Sequence, residues 1–528
     1  MSLVKKFMTV GSATMASRLF GFVREMMMAA ALGAGPVADA FYAAFRFPNL
    51  FRRLFAEGAF NAAFVPLFAK EIEQNGTDGA RRFSEEVLGV LFTVLLAVTI
   101  LMQLAMPLIV RTIIAPGFTD DPEKMDITVR MALIMFPYLM CMSLTAMMSG
   151  ILNSLHRYFA AAVAPIFLNL ILIAALLWGV WQGFEPLQTG MALSWGVLLA
   201  GFLQLAVVAF GVRHAGMKIG FRRPRMTPSV KRLLILALPA AITGGITQIN
   251  LVIGQMIASG KEGAIAILQY ADRLYQLPLG VVGVAVSVVL LPELSRALKG
   301  GNMTEAGNLQ NRSVEFALFL TLPAAAGLFA LSEEMVRVLY ERGAFHAQTT
   351  SSVSAALAVY GLGLPAFVLI KAFVPGFFAR EDTKTPMIFA GIAVAVNIAL
   401  ALTLFPILAE AGIATAETTS GWVNAVLLFS TLVWRGHWGK DTGLLTRIPR
   451  LVLAAVLMGV ALHYGALWFA DWLSSEAPLH VQAAALAILI GAGAIVYFAL
   501  AFGLGGANLG MLRRNLKRGA GKKTEQGK

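Results

Sequence analysis

Long apolar runs, each bounded by a short polar segment, recur from one end of the chain to the other. They are solidly apolar, as at 90–102 and 166–180. The alternation of polar and apolar residues that a membrane β-strand needs does not appear. A helix crosses a bilayer with about 20 mostly apolar residues. The pattern predicts fourteen such spans, at 6–32, 37–69, 86–114, 126–152, 159–182, 187–212, 231–258, 263–295, 313–339, 352–379, 385–409, 412–434, 449–471 and 480–507. The expected fold is an all-α polytopic membrane protein rather than a soluble domain with an anchor.

A weak internal repeat runs through the spans. Pro137 and Asn169 are 32 residues apart, as are Pro365 and Asn397, with an offset of 228 between the copies. Pro66 and Pro292 repeat at an offset of 226. Six spans separate the copies, so the copies share orientation. Parallel repeats of this kind predict two six-helix lobes about an axis along the membrane normal, with substrate between them. The expected division is an N-terminal lobe at 1–215, a C-terminal lobe at 229–438, an extra helix pair at 445–510 and a basic tail at 511–528.

Composition agrees. Of the 528 residues 58% are hydrophobic and only 13% charged, where a soluble domain averages about 25% charged. The net charge of +13 would suit nucleic acid, but its distribution points elsewhere. With the N-terminus in the cytoplasm, 29 of the 42 basic residues fall in cytoplasmic segments and about six on the opposite face. That asymmetry predicts both termini inside and no nucleic-acid partner. Cys141 is the only cysteine, which excludes an internal disulfide and a thiolate metal site. The N-terminus imitates a signal peptide, but Arg18 and Arg24 interrupt its apolar core, so an uncleaved first span is expected.

Seven basic residues remain inside spans: Arg18, Arg24, Arg46, Arg52, Arg53, Arg273 and Lys371. Glu25, Asp39, Glu57 and Asp272 lie close enough in sequence to join them, leaving a net of +3. Each arginine at a helix centre costs roughly 2.5–3.5 kcal/mol on insertion scales. Seven facing lipid would cost about 20 kcal/mol, more than a typical folding stability. They must face one another, a bundle interior or water.

Spacing sorts them. Asp39, Arg46 and Arg53 recur every seven residues and share a helical stripe, and Glu57 follows Arg53 by four, which suits pairing along span 2. Arg52 lies about 100° from that stripe, and Pro48 can kink it. In span 1, Arg18 shares a face with Glu25, and Ser17 with Arg24. Lys371 can snorkel. Asp272 and Arg273 are adjacent and point apart. Arg18, Arg24, Arg52 and Arg273 are therefore the candidate substrate-binding residues, with Ser17, Asp39, Arg46, Arg53 and Glu57 in support. Such a positive interior favours an anion, for example a phosphate held by arginine forks.

No catalytic constellation appears, and the six histidines lack metal-ligand spacing. The tail at 519–524 has the wrong glycine spacing for a phosphate loop and suits anionic lipid heads instead. Neither an enzyme nor a metal or other cofactor is expected. With no nucleotide site, energy must come from an ion gradient, a voltage or downstream consumption.

The segment Ser17-Arg-Leu-Phe-Gly-Phe-Val-Arg-Glu25 resembles the first helix of the MurJ (MviN) lipid II flippases. Residues 38–60, and on to Pro66, resemble the family's second helix. Ala115-Pro-Gly-Phe118, Tyr270-Ala-Asp-Arg273, Pro375-Gly-Phe377 and Lys384-Thr-Pro386 match further landmarks. The resemblance implies a fold of the multidrug/oligosaccharidyl-lipid/polysaccharide exporter superfamily, with spans 13 and 14 forming a groove for a lipid tail. It implies that arginines matching Arg18, Arg24, Arg52 and Arg273 line a central cavity, and that Asp39, Arg53 and Glu57 also matter. The implied substrate is lipid II, the undecaprenyl-diphosphate-linked disaccharide pentapeptide. The implied location is the bacterial inner membrane, with membrane lipids and other cell-wall synthesis proteins as further partners. Some relatives are thought to bind sodium through carboxylates of the second lobe. Here spans 7 and 11 contain no Asp or Glu, and Gln248, Asn250 and Asn397 are the nearest polar groups. A site of that type is not expected.

Rival readings are a flippase for another undecaprenyl-diphosphate-linked oligosaccharide and a cation-drug antiporter of the same superfamily. The positive interior argues against the antiporter. A lipid-processing enzyme should show paired carboxylates or a metal motif, and a scaffold would not need unpaired buried arginines.

Overall fold

The computed structural model describes residues 3–52, 60–439 and 442–506. Among them no strand occurs. The helices are α1 (Leu3–Leu32), α2 (Pro36–Arg52), α3 (Phe60–Leu104), α4 (Met106–Ile109), α5 (Pro122–Met135), α6 (Tyr138–Ser154), α7 (Phe159–Gln182), α8 (Pro186–His214) and α9 (Pro228–Ala258). There follow α10 (Ala264–Lys299), α11 (Met303–Ala330), α12 (Ser332–Tyr340), α13 (Ala347–Phe378), α14 (Lys384–Leu408), α15 (Glu410–Trp434), α16 (Thr442–Trp468), α17 (Ala470–Leu473) and α18 (Leu479–Gly503). A π-helical turn at Val110–Ile114 and a 3-10 turn at Pro116–Asp120 join α4 to α5. Nine helices among the described residues are long and apolar enough to cross a membrane. The chain is an all-α, multi-pass membrane protein, as its hydropathy implies; these nine do not by themselves establish fourteen passes.

Local chemistry sets many helix ends. Asp121 accepts from the Lys124 backbone N–H at 3.0 Å and Pro122 opens α5. Thr227 caps α9 ahead of Pro228, and Asn302 caps α11. Each cap satisfies an N–H the first turn leaves open.

One interruption falls where the sequence pattern places it, and two elements depart from that pattern. In the polar segment expected at 70–82 two helices meet across a kink inside α3 at Gly76, whose φ of 66° and ψ of −167° are not helical. The Asn75 amide donates to Glu71 at 2.7 Å ahead of the kink, and Arg81 meets Asp78 at 3.5 Å after it. The span expected at 126–152 is two helices, because Pro137 sits between α5 and α6 and lacks the N–H that would continue the ladder. Its repeat partner Pro365 lies within an unbroken α13. The span expected at 313–339 ends at Ala330. After Leu331 the short α12 begins with Glu333 and Glu334 and buries Val336, Val338 and Tyr340.

The chain forms two compact units, Met1–Gln269 with Arg342–His346, and Tyr270–Glu341 with Ala347–Lys528. In the first, Phe64, Phe68 and Phe83 of α3 pack with Met147 and Ile151 of α6, Val208 of α8 and Val230 of α9. In the second, α10, α11, α13 and α15 share a core around Leu318, Phe373, Phe377 and Leu428. There α16 and α18 pack on α11 and α12 through Leu451, Met458, Leu486 and Tyr497, and the Tyr497 hydroxyl donates to the Phe319 carbonyl at 2.9 Å.

Candidate functional site

Arg24 of α1 is buried. Its Nη2 donates to Glu25 Oε2 at 2.7 Å and its Nη1 to Asn169 Oδ1 on α7 at 3.1 Å. Asn169 in turn donates to the Ser17 carbonyl at 3.0 Å, and the Tyr42 hydroxyl of α2 donates to Glu25 Oε1 at 2.8 Å. The Arg24 Nε is buried with no partner among the described residues. Spacing alone leaves Arg24 without a local partner. The structure supplies one from the next residue, because a guanidinium on a long stem reaches across the 100° between neighbours, and another from 145 residues away. Asn169 thus bridges the Arg24 guanidinium and the Ser17 backbone carbonyl.

Arg18, also on α1, is exposed, and no carboxylate bonds it among the described residues. In the second unit, half-buried Arg273 of α10 likewise meets no carboxylate among the described residues; its neighbour Asp272 accepts instead from Gln276. Arg52 is the last residue of α2. Arg53 and Glu57, expected to pair on the α2 stripe, lie outside the described residues.

The expected pairing of Arg46 with Asp39 does not occur. Asp39 is fully buried and accepts from Lys124 Nζ at 2.8 Å, from the Gly263 N–H at 2.7 Å and from the Ala266 N–H at 3.0 Å. The last two are free donors of the first turn of α10, where a carboxylate is favoured. Arg46 donates instead to Gln269, at 3.4 Å. Lys124 belongs to a segment the sequence places on the outer face, yet it is 5% exposed and lies 4.0 Å above the Phe118 ring. The only local signal for it was the Asp121-Pro122 helix start.

Near Asp39 the first unit is held by further hydrogen bonds in which a backbone group takes part. The Ala344 N–H donates to the Ala30 carbonyl at 2.8 Å. A Cβ on Gly343, at φ +58°, would stand 2.3 Å from that same carbonyl oxygen. The Gly117 N–H donates to Ser259 Oγ at 2.9 Å, and Gln255 Nε2 donates to the Ile114 carbonyl at 2.9 Å. All the loops involved belong to the face that the sequence assigns opposite the basic segments. Together these contacts join the loops at one end of the first unit.

Helix α15 also holds acids the sequence reading omits. Glu410 of α15 is buried and Glu417 on the same helix is half-buried. The Asp272 and Glu417 carboxylates both lie within electrostatic reach of the Tyr275 hydroxyl, whose ring stacks on Tyr360 at 5.4 Å. Glu417 lies within the expected span 412–434 and lowers the +3 tally of span charges by one; Glu410 opens α15 just outside that span. Lys371 of α13 lies over Gly283 of α10, its Nζ 2.9 Å from where a Cβ would be. No group of three or more metal-ligating side chains occurs among the described residues.

At the basic end of the second unit, Arg435 donates to Asp382 at 2.7 Å and to Thr385 at 3.1 Å. Arg380 donates to the Gly376 and His437 carbonyls at 2.6 and 3.3 Å. The Thr385 hydroxyl and N–H, then the Arg435 guanidinium, hold the Asp382 carboxyl down to about 2. Burial, with Arg380 and Arg435 beside it, lowers the His437 pKa.

A family model described as "Lipid II flippase MurJ" matches residues 28–483. The chain is 70% identical over 520 residues to the "Probable lipid II flippase MurJ" of Rhizobium meliloti (strain 1021), covering 98% of this chain and 97% of that one. It is 35% identical over 513 residues to the "Lipid II flippase MurJ" of Burkholderia cenocepacia, covering 96% and 98%. A solved structure described as "Lipid II flippase MurJ, inward closed conformation" is similar at a TM-score of 0.75 and 27% identity, over 93% of this chain and 97% of that one. An inward-facing multidrug resistance MATE family transporter of the MOP superfamily is similar at a TM-score of 0.67 and 16% identity, over 81% and 97%. That last likeness is one of fold alone.

Proposed function

The chain belongs to the MurJ family of lipid II flippases, and from that premise we propose how its residues carry the substrate. It is a transporter rather than an enzyme, and it flips lipid II. The diphosphate of that lipid presents the oxygens that arginine forks suit. In our reading Arg18, Arg24, Arg52 and Arg273 are the diphosphate-binding groups, with Ser17, Asp39, Arg46, Arg53 and Glu57 supporting them.

The observation that carries this is the contrast within α1. Arg24 is oriented by Glu25 and Asn169, while Arg18 has no counter-charge among the described residues. A cation kept unpaired in a membrane helix suits a ligand that brings the missing charge. The protein works by alternating access in the bacterial inner membrane, with both termini in the cytoplasm. The two lobes are 1–215 and 229–438. The contacts around Asp39 and Lys124 close the periplasmic side, and binding of the diphosphate relieves repulsion among the arginines and lets that side open. The helix pair at 445–510 receives the isoprenoid tail. Membrane potential acting on these cations can supply energy, since one charge crossing 100 mV exchanges about 2.3 kcal/mol.

The test is translocation of lipid II by the purified protein in vesicles, beside a neutral-head isoprenoid. Arg24→Ala and Arg273→Ala should each abolish flipping while the protein stays folded and abundant. Flipping retained by both variants overturns the assigned roles. Depletion in cells should accumulate lipid-linked precursor in the inner leaflet, and unchanged translocation there refutes the transport reading.

A further inference from the structure

The segment from Met217 to Thr227 runs without helix between α8 and α9. It is a strap fastened to α3. The Gly220 N–H donates to Glu85 Oε1 at 3.1 Å, and Arg222 Nε to Glu85 Oε2 at 2.6 Å. The Thr227 hydroxyl donates to Glu86 at 2.8 Å. The Arg222 carbonyl oxygen lies 2.3 Å from where a Cβ on Gly89 would be, so the strap can lie this close only over glycine. Phe221 packs edge-on against Phe92 at 5.5 Å, and Met217 is buried.

This anchoring consumes one cation, Arg222. Arg213, Lys218, Arg223 and Arg225 are exposed, and none of them meets a carboxylate among the described residues. Two of the four, Arg213 and Lys218, line a cavity of about 400 Å³ together with Ile219 and Gly220. In the same stretch of chain Phe210, Phe221 and Met226 are 71%, 62% and 65% exposed. Arg213 closes the last turn of α8, an apolar helix long enough to span the bilayer. The cavity therefore stands where a membrane helix meets the headgroups. Two unneutralised cations beside exposed aromatic and thioether side chains suit a ligand with an anionic head and an apolar body. A nucleic acid or an acidic protein would have no use for that apolar rim.

We propose that the Arg213–Lys218 cavity is a headgroup site for an anionic phospholipid of the bilayer, separate from the arginines assigned to the transported diphosphate. The phosphate accepts from Arg213 and Lys218, and the acyl chains lie against Phe210, Phe221 and Met226. The inference rests on the chain spanning the membrane and not on the diphosphate assignment.

The full chain in detergent is titrated with phosphatidylglycerol, phosphatidylcholine or undecaprenyl diphosphate, and bound lipid is counted by mass spectrometry of the intact complex. Phosphatidylglycerol should bind in preference to phosphatidylcholine. The double variant Arg213→Gln, Lys218→Gln should weaken phosphatidylglycerol about 30-fold, at about 1 kcal/mol for each basic side chain at an anionic surface. Arg223→Gln with Arg225→Gln removes the same charge from the same strap but outside the cavity, and should weaken it far less. Should the first double variant fail to fold, each single variant should show a loss of about fivefold. Equal losses in the two double variants would reduce the site to diffuse electrostatics and overturn it. No preference over phosphatidylcholine would overturn it too. If undecaprenyl diphosphate displaces phosphatidylglycerol and loses affinity in the same variant, the cavity belongs to the substrate and the proposal fails. Because no arm reads transport, failure here leaves the flippase mechanism untouched.

Discussion

Lys124 donates to Asp39 at 2.8 Å although 85 residues separate them, and both side chains are buried. Removing one partner of a buried pair costs about 3–5 kcal/mol, because the other charge is left uncompensated. Lys124→Met should therefore lower the melting temperature of the purified protein more than the double variant Asp39→Asn, Lys124→Met. In the double variant neither charge remains, and an amide oxygen still accepts from the Gly263 or Ala266 N–H. Equal melting temperatures for the two would mean that the pair is not coupled by charge.

A glycine of the same region offers a steric test. Gly343 and Gly183, the residue after α7, share a positive φ, +58° and +66°, so alanine meets a left-handed penalty of roughly 1–2 kcal/mol at each. At Gly343 the new Cβ also meets the Ala30 carbonyl oxygen at 2.3 Å, while at Gly183 nothing lies within 4 Å. Gly343→Ala should melt well below Gly183→Ala, and cysteine accessibility around 30–34 should rise. Matching behaviour of the two variants would show that these contacts tolerate the insertion.

Arg24 tests geometry against charge. Arg24→Lys keeps the charge, but a single ammonium cannot replace a fork that serves Glu25 and Asn169 together. Its initial rate of lipid II flipping should fall nearly as far as that of Arg24→Ala. Asn169→Ala leaves Glu25 in place and removes one hydrogen bond to a charged group, worth about 1.5–3 kcal/mol, so its rate should drop roughly ten- to a hundredfold. Wild-type flipping by Arg24→Lys would mean that only the charge is needed.

The Asp382–Arg435 contact predicts a pH window. The folded carboxyl sits at about 2, below an ordinary aspartate near 3.9. A depressed acid contributes stability that is fully present above the unfolded value and is lost as pH falls through the folded one. The melting-temperature gap between wild type and Asp382→Asn should be constant from neutral pH to about 5 and close between about 4 and 2. Thr385→Val removes the hydroxyl that contributes most and should narrow the gap. A gap independent of pH would refute the assignment.

Tyr497→Phe removes the hydrogen bond from α18 to the Phe319 carbonyl of α11 while keeping the ring. A loss of about 1 kcal/mol is expected from a neutral buried hydrogen bond, read by chemical denaturation. No change would place the docking of α18 entirely in its apolar contacts with α11, α12 and α16.

What the sequence alone determined here is what local quantities can carry. The apolar run length marks the membrane helices, because the cost of a polar residue in hydrocarbon is charged residue by residue. The segment at 17–25 and the stripe in α2 single out the arginines, because a cation in a span must be explained wherever it occurs. The starts of α5, α9 and α11 rest on caps within three residues at Asp121, Thr227 and Asn302, whereas the apolar runs by themselves begin those spans later, at 126, 231 and 313.

Tertiary structure decided which charges meet. Asp39 found Lys124 and the first turn of α10 rather than Arg46, and Arg24 found Asn169 on α7. Such pairs depend on which helices pack together, and helical periodicity says only which face a residue occupies. The structure also narrowed the interruption of the polar stretch in α3 to a kink at Gly76, since composition marks a polar segment but not the residue at which the chain turns. It brought loops more than 200 residues apart into glycine-lined contact, which no local pattern encodes because the close approach belongs to two backbones at once.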